Sequence, residues 1–303
     1  MKKPPAIPPE LQALMAEIGP RWRDDIPGHI RAMLDGFTAV LRDAPKDGVE
    51  VRRGIRYGDD ARQEYDLFLP CGPKRDRPAV LFVHGGAFTE GHRNRTDEVY
   101  ANVLYFLARN GVTGVNVGYR LAPHACFPEA TRDIATVVKT VRDGASAIGV
   151  DRRRIFLMGH SAGGAHVASY AYDRSLQPEE GSGLAGLIVV SGRVRVENRT
   201  DNPNAKRVEA YYGTTSPEEL DRFSPVSHVG PDSVPTFIAW GEYENPLIDV
   251  HCAELVHRLS QAKGRCPPTI WLRGHNHTST IAHINTAGEE LGAALFDFIA
   301  HPR

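Results

Sequence analysis

The sequence predicts an α/β protein: a mostly parallel central sheet with helices on both faces, preceded by a helical N-terminal segment. Three observations predict it. Short apolar strands alternate with amphipathic helical stretches, which is the signature of a sheet built from crossover units. Later strand candidates such as Ala79-Val80-Leu81-Phe82-Val83 are apolar throughout, as expected when helices cover both faces. The 303 residues include 41% hydrophobic and 24% charged side chains, enough apolar material for one large core.

The elements follow in order. Leu11, Leu14, Met15 and Ile18 share one helix face by their i, i+3, i+4, i+7 spacing. Pro27 can open a second helix, with Ile30, Met33, Leu34, Phe37 and Leu41 on its apolar side. Residues 1–45 are thus a helical segment whose apolar faces must be buried, either as a cap over a site or simply against the body. Residues 46–303 form the main domain. Strands are expected at Val49–Tyr57, Glu64–Leu69, Ala79–His84, Val112–Tyr119, Ile155–Gly159, Leu184–Ser191, Thr236–Trp240 and Thr269–Leu272. The first two, joined through Gly58-Asp59-Asp60, are expected to be a hairpin. Helical faces are marked by Val99, Val103 and Phe106; by Ile134, Val137, Val138 and Val141; by Cys252, Leu255, Val256 and Leu259; and by Leu291, Leu295, Phe298 and Ile299. An insertion around 192–234 breaks the rhythm. It is polar, with a helix start at Ser216-Pro217-Glu218-Glu219, and is either a lid or binding loop or a plain surface excursion.

Composition excludes several function classes. A net charge of -1 and the lack of a basic stripe argue against nucleic acid and anionic lipid. The prolines at 4, 5, 8 and 9 break any secretory signal core, and no apolar run has the length of a membrane span. A cytoplasmic protein is therefore expected. Cys71, Cys126, Cys252 and Cys266 are scattered, as ordinary reduced thiols are. A homodimer is the default assembly.

The chemistry is concentrated in a few motifs. Gly159-His160-Ser161-Ala162-Gly163 matches G-x-S-x-G, and it lies between the apolar strand Ile155–Met158 and a helix beginning at Ala162. A sharp strand-to-helix turn there lifts the serine hydroxyl out of the sheet, as at the nucleophile of an α/β-hydrolase. A helix whose Ser merely caps it is the bland alternative; a phosphate loop would need a Lys-Ser/Thr ending that is missing. His84-Gly85-Gly86-Ala87 follows another apolar strand and is similar to the H-G-G-G oxyanion motif of lipases and esterases. On that pattern the N–H groups of Gly86, Ala87 and Ala162 would hold the oxyanion. Ala87 stands where the motif has glycine, which a backbone donor tolerates if its φ is ordinary.

With these motifs go Gly118-Tyr119-Arg120-Leu121-Ala122-Pro123, Phe127-Pro128-Glu129-Ala130 and Asp133, and the early Tyr57-Gly58 and Tyr65-Asp66-Leu67-Phe68-Leu69-Pro70. Together, from about Val49 to the C-terminus, they resemble the hormone-sensitive-lipase-like esterases of the α/β-hydrolase superfamily. The hairpin and the Gly241-Glu242-Tyr243-Glu244 region also resemble feruloyl-type esterases and kynurenine formamidases. The resemblance implies a triad in the order Ser, acid, His. His277 in Gly274-His275-Asn276-His277-Thr278-Ser279 aligns with the base, with His275 as the alternative. Glu244 stands where relatives carry the triad Asp, and Asp249 competes, although it can equally cap the following helix. The expected activity is hydrolysis of small carboxylic esters by Ser161, His277 and Glu244, with no cofactor and no metal. An amidase or formamidase using the same triad and a non-catalytic ligand-binding scaffold are the alternatives. Phe88, Tyr119, Tyr211 and Tyr212 either line a pocket or belong to the core.

Overall fold

The computed structural model describes residues 2–72 and 76–303. In chain order the elements are α1 (Pro9–Ile18), α2 (Ile26–Leu41), β1 (Val49–Arg56), β2 (Glu64–Pro70), β3 (Arg77–Val83), α3 (Ala101–Arg109), β4 (Thr113–Val117), α4 (Glu129–Asp143), β5 (Val150–His160), α5 (Ala162–Tyr172), β6 (Gly186–Val190), α6 (Ala205–Tyr212), α7 (Pro217–Phe223), β7 (Thr236–Tyr243), α8 (Ile248–Lys263), β8 (Thr269–Asn276), α9 (Ser279–Ala282) and α10 (Gly292–Ala300). The strands form one sheet in the order β1-β2-β4-β3-β5-β6-β7-β8. β1 pairs antiparallel with β2, and β2 antiparallel with β4; every other pairing is parallel. The predicted mostly parallel sheet and the early hairpin are both present.

Strand alternation divides the core in two. Leu81, Val83, Leu157 and Val189 point to one face, beneath α4, α5 and α8. Val80, Phe82, Met158 and Ile188 point to the other, where Met33 and Phe37 of α2, Val103 of α3 and Phe298 of α10 cover them. Period-2 side-chain alternation makes each apolar strand serve both cores. The N-terminal helices join the second of these clusters through Leu11, Met15, Ile18, Trp22 and Met33.

Several expectations shift in detail. α2 begins at Ile26, one residue before Pro27, because Asp25 accepts the Gly28 N–H at 3.0 Å and caps the turn. β5 starts at Val150, five residues earlier than its apolar run, since Val150 pairs with Arg77 of β3 while Arg152 and Arg153 stay exposed. α3 begins two residues after Val99, and its buried face is Val103, Leu104 and Leu107 rather than Phe106, which is only half-buried. Val256 of α8 is likewise half-buried. In the insertion, α7 starts as expected, Ser216 accepting the Glu219 N–H. α6 was not foreseen, because its apolar positions are mixed with Lys206, Arg207 and Glu209. The aromatic residues Phe88, Tyr119, Tyr211 and Tyr212 are core, packing ring on ring at centroid separations of 5.1 Å for Phe88–Tyr211 and 4.8 Å for Tyr211–Tyr212.

Candidate active site

The C-terminal ends of β3, β5, β7 and β8 converge on a cavity of about 860 Å³. Strand ends are where open parallel sheets place their sites, because the loops that leave them are free to vary. β5 ends at His160, and α5 begins at Ala162, leaving Ser161 alone in the turn with φ 58° and ψ -121°. That conformation is uncommon for a non-glycine residue and costs energy that the surrounding structure must supply. Its restraints are plain: Ser161 N–H donates to Val190 O at 3.2 Å, and Ser161 O accepts from Gly164 N at 3.0 Å and from Arg193 N at 3.0 Å. The turn is also tight. A Cβ on Gly163 would lie 2.2 Å from Val83 O, so only glycine allows α5 to start this close to β3.

The hydroxyl is met by a continuous polar chain. Ser161 Oγ is 3.0 Å from His277 Nε2, and His277 Nδ1 is 2.5 Å from Glu244 Oε2. Glu244 is 2% exposed. Its other oxygen, Oε1, accepts Ser191 Oγ–H at 2.6 Å and Gly241 N–H at 2.8 Å. A buried carboxylate with all its nearby donors engaged is held in one position, and so is the imidazole bonded to it. The His277 backbone is fixed by its N–H to Tyr243 O at 3.0 Å.

The two competitors lie elsewhere. His275 turns away from the serine, its Nδ1 3.1 Å from Ser279 Oγ and its Nε2 3.3 Å from Glu290. Asp249 is not the cap of α8 either; Leu247 holds that position, and Asp249 sits in the first turn with its carboxylate 3.6 Å from Arg23.

Opposite the serine, the loop after β3 turns sharply. Gly86 has φ 145°, and a Cβ there would come within 1.8 Å of Glu90 O. Glu90 N–H closes this turn on Gly86 O at 3.0 Å. The condition of an ordinary φ at Ala87 is not met: Ala87 has φ 47° and Phe88 φ 71°, so both occupy the left-handed region that glycine fills more cheaply. Buried Phe88, stacked on Tyr211, anchors that strained stretch. The N–H groups of Gly86, Ala87 and Ala162 have no acceptor among the described residues, and all three residues border the serine, two along the cavity and one at the start of α5. His84 braces the loop from behind, its Nδ1 2.7 Å from Gly85 O and its ring 4.3 Å from Tyr119. Burial holds its pKa well below the ordinary histidine value.

Two positioning groups had no clear signal in the sequence. Ser191, at the end of β6 with φ 49°, supplies a hydrogen bond to Glu244. His160, the x of G-x-S, donates from Nε2 to His277 O at 3.0 Å while its Nδ1 faces the Tyr100 hydroxyl at 3.2 Å. Burial pushes its pKa down to about 3, which keeps the ring neutral and able to serve both partners.

The mouth of the cavity is built from the two segments outside the sheet. Arg23, Ile30 and Leu34 line it from the N-terminal side; Asn204 and Arg207 line it from the insertion. The turn before α2 is tied to the acid loop, Trp22 Nε1–H donating to Asn245 Oδ1 at 2.8 Å and Arg23 Nε–H to Glu244 O at 3.4 Å.

A mostly parallel eight-stranded sheet with a Ser–His–carboxylate chain at its strand ends defines the α/β-hydrolase fold. Within it, the chain belongs to the BD-FAE family, whose model matches residues 65–259. Among named relatives it is 28% identical over 224 residues to esterase LipC of Mycobacterium tuberculosis, covering 69% of this chain and 55% of that protein. It is 31% identical over 216 residues to the ethyl acetate hydrolase of Pseudomonas putida, covering 63% of this chain and 64% of that one. The match therefore spans less than two thirds of either relative. A bacterial heroin esterase structure superimposes with a TM-score of 0.68 at 24% identity, over 92% of this chain and 91% of its own. Among the described residues no helix is long and apolar enough to cross a membrane.

Proposed function

We propose that the chain is a serine hydrolase of small carboxylic esters. The observation that carries this reading is the chain of short contacts from Glu244 through His277 to Ser161 Oγ on the floor of a cavity. A serine hydroxyl is a weak nucleophile until an oriented base removes its proton. In this reading Glu244 accepts Nδ1–H, which leaves the Nε2 lone pair directed at the Ser161 hydroxyl. Ser161 attacks the ester carbonyl as His277 takes its proton, and the oxyanion rests on the N–H groups of Gly86, Ala87 and Ala162. His277 then protonates the leaving alcohol. Water, deprotonated by the same imidazole, releases the acid and restores the serine. Glu244 stabilises the imidazolium in both halves without itself being protonated. A scaffold that only bound ligand would have no use for a strained serine joined to a buried His–Glu pair.

The esterase names of the relatives support the same reading. We also propose that the N-terminal helices and the insertion act as a two-sided cap, since both contribute to the cavity wall. Cytoplasmic residence belongs to the proposal as well, resting on four widely spaced free cysteines that suit a reducing compartment. The experiment is hydrolysis of p-nitrophenyl acetate and butyrate by the wild type beside Ser161→Ala. Turnover that vanishes in the variant supports Ser161-dependent acyl transfer; equal turnover by both overturns it, as does a folded wild type that hydrolyses neither these esters nor any anionic ester.

A further inference from the structure

The walls of the cavity carry an imbalance of charge. Five arginines line it (Arg23, Arg31, Arg95, Arg193 and Arg207) against three carboxylates, although the whole chain has a net charge of -1. Two of the five are paired at the rim, Arg23 with Asp249 and Arg207 with Glu90. Asp25 is spent on capping α2 and Asp24 on Arg21. Arg31 and Arg95 make no ion pair among the described residues.

Arg193 is the exceptional member. It is 3% exposed, it lines the same cavity as Ser161, and its backbone N–H is bonded to Ser161 O at 3.0 Å. Its guanidinium has a single side-chain bond, Nη2 to Pro246 O at 3.4 Å, and Nη1 is buried with no partner. Glu197, the carboxylate that acts on it from nearby, binds His251 Nε2 at 2.7 Å instead. Burial lowers the Arg193 pKa to about 10, which still leaves it charged at neutral pH. Arg120 shows what a satisfied arginine of this chain looks like: it is bonded to both oxygens of Asp133 and to Glu129. A guanidinium carries five donors in a planar fork suited to a carboxylate. Burying one without a counter-ion is unfavourable, and an anion entering the cavity would relieve it. A lone water would satisfy one Nη1 donor but not the charge.

We propose that the substrate of this site is an ester bearing a second, anionic group, a carboxylate, which Arg193 binds while Ser161 attacks the ester carbonyl. The inference rests on the serine-hydrolase reading and narrows its substrate class. Arg31 and Arg95 add a positive field at the entrance that draws such an anion inward.

The test compares matched pairs in wild type, Arg193→Met and Arg193→Lys. Mono-p-nitrophenyl glutarate against p-nitrophenyl pentanoate places the carboxylate on the acyl side. 4-Acetoxybenzoate against its methyl ester places it on the alcohol side. In at least one pair the wild type is expected to favour the anion by about tenfold or more in kcat/KM, mainly through KM, since a bidentate charged contact has that order of effect. Arg193→Met should bring that ratio close to one, and Arg193→Lys should retain part of it. Circular dichroism identifies a variant that fails to fold; the wild-type ratio and the lysine variant then decide. Hydrolysis of the neutral esters with no anion preference in either pair overturns this inference and leaves the hydrolase reading standing. A preference that survives intact in folded Arg193→Met also overturns it. Failure of every ester, neutral and anionic, with folded wild type would overturn the hydrolase reading itself.

Discussion

The floor and the mouth of the cavity are built on different principles. On the floor, the side chains of Ser161, His277, Glu244, His160 and Ser191 are locked to one another and to the backbone by buried hydrogen bonds between strand ends. At the mouth, the lining comes from the N-terminal segment and the insertion, through long side chains such as Arg31 and Arg207 that are largely or partly solvated. The difference separates two tasks. A rigid floor holds groups in register for a reaction, while an adaptable mouth sets what can enter.

Substitutions on the floor should therefore have far larger effects on ester turnover than substitutions at the mouth. His277→Ala removes the only ring in contact with the serine hydroxyl among the described residues and is expected to lower kcat by about 10⁴- to 10⁶-fold, read with p-nitrophenyl butyrate. Glu244→Gln preserves shape but cannot hold the imidazole in the same tautomer, and a loss of about 10⁴-fold is expected. Full activity in either variant would break the comparison. Ser191→Ala removes one charge-assisted bond to Glu244 and should cost about 10-fold in kcat, with the other Oε1 donor, Gly241 N–H, still in place. At the mouth, Trp22→Phe deletes the bond to Asn245 and is expected to lower stability by about 1 kcal/mol, seen as a thermal midpoint about 2–4 °C lower, with little change in kcat. Asp249→Asn should change kcat by less than about threefold, because its carboxylate meets only a half-exposed arginine.

The buried histidines also give the fold a pH signature. His160, His166 and His283 are buried, and burial lowers each pKa to about 3 from an ordinary value of 6.5. The folded protein keeps them neutral down to that pH, whereas the unfolded chain takes up protons below 6.5. Between pH 6.5 and 3 the unfolded state binds more protons, so stability falls as pH falls, with a slope of up to about 1.4 kcal/mol per pH unit for each histidine. Urea unfolding at pH 7, 6 and 5 should show this decline, and a flat profile would mean that these rings are not held neutral.

The same division decides what the sequence made legible. The central strands were visible because a doubly covered parallel sheet writes them as uninterrupted apolar runs, as in Ala79–Val83, whereas the edge strands β1 and β8 are partly exposed and carry polar residues. Ser161 was visible because its turn demands glycines at fixed offsets, and His277 and Glu244 because each follows a recognisable strand end. Ser191 and His160 were not, since their partners, the Glu244 carboxylate and the His277 carbonyl, lie just after β7 and β8 and only the folded sheet brings them near. The strained φ of Ala87 was missed because alanine carries no local sign of a left-handed turn; the packing of Phe88 imposes it. The cavity lining contributed by the insertion was least legible of all. Arg193 reads as one polar residue in a polar insertion, and only its burial beside the Ser161 backbone distinguishes it.

The most direct test of the central claim is to capture the covalent intermediate. Wild-type protein mixed with p-nitrophenyl acetate and quenched in acid within the first turnovers should carry one acetyl group, located on Ser161 by peptide mass spectrometry and absent from Ser161→Ala. An acetyl group formed at a kinetically competent rate on another residue, or equal acetylation of wild type and Ser161→Ala, would contradict acyl transfer through Ser161.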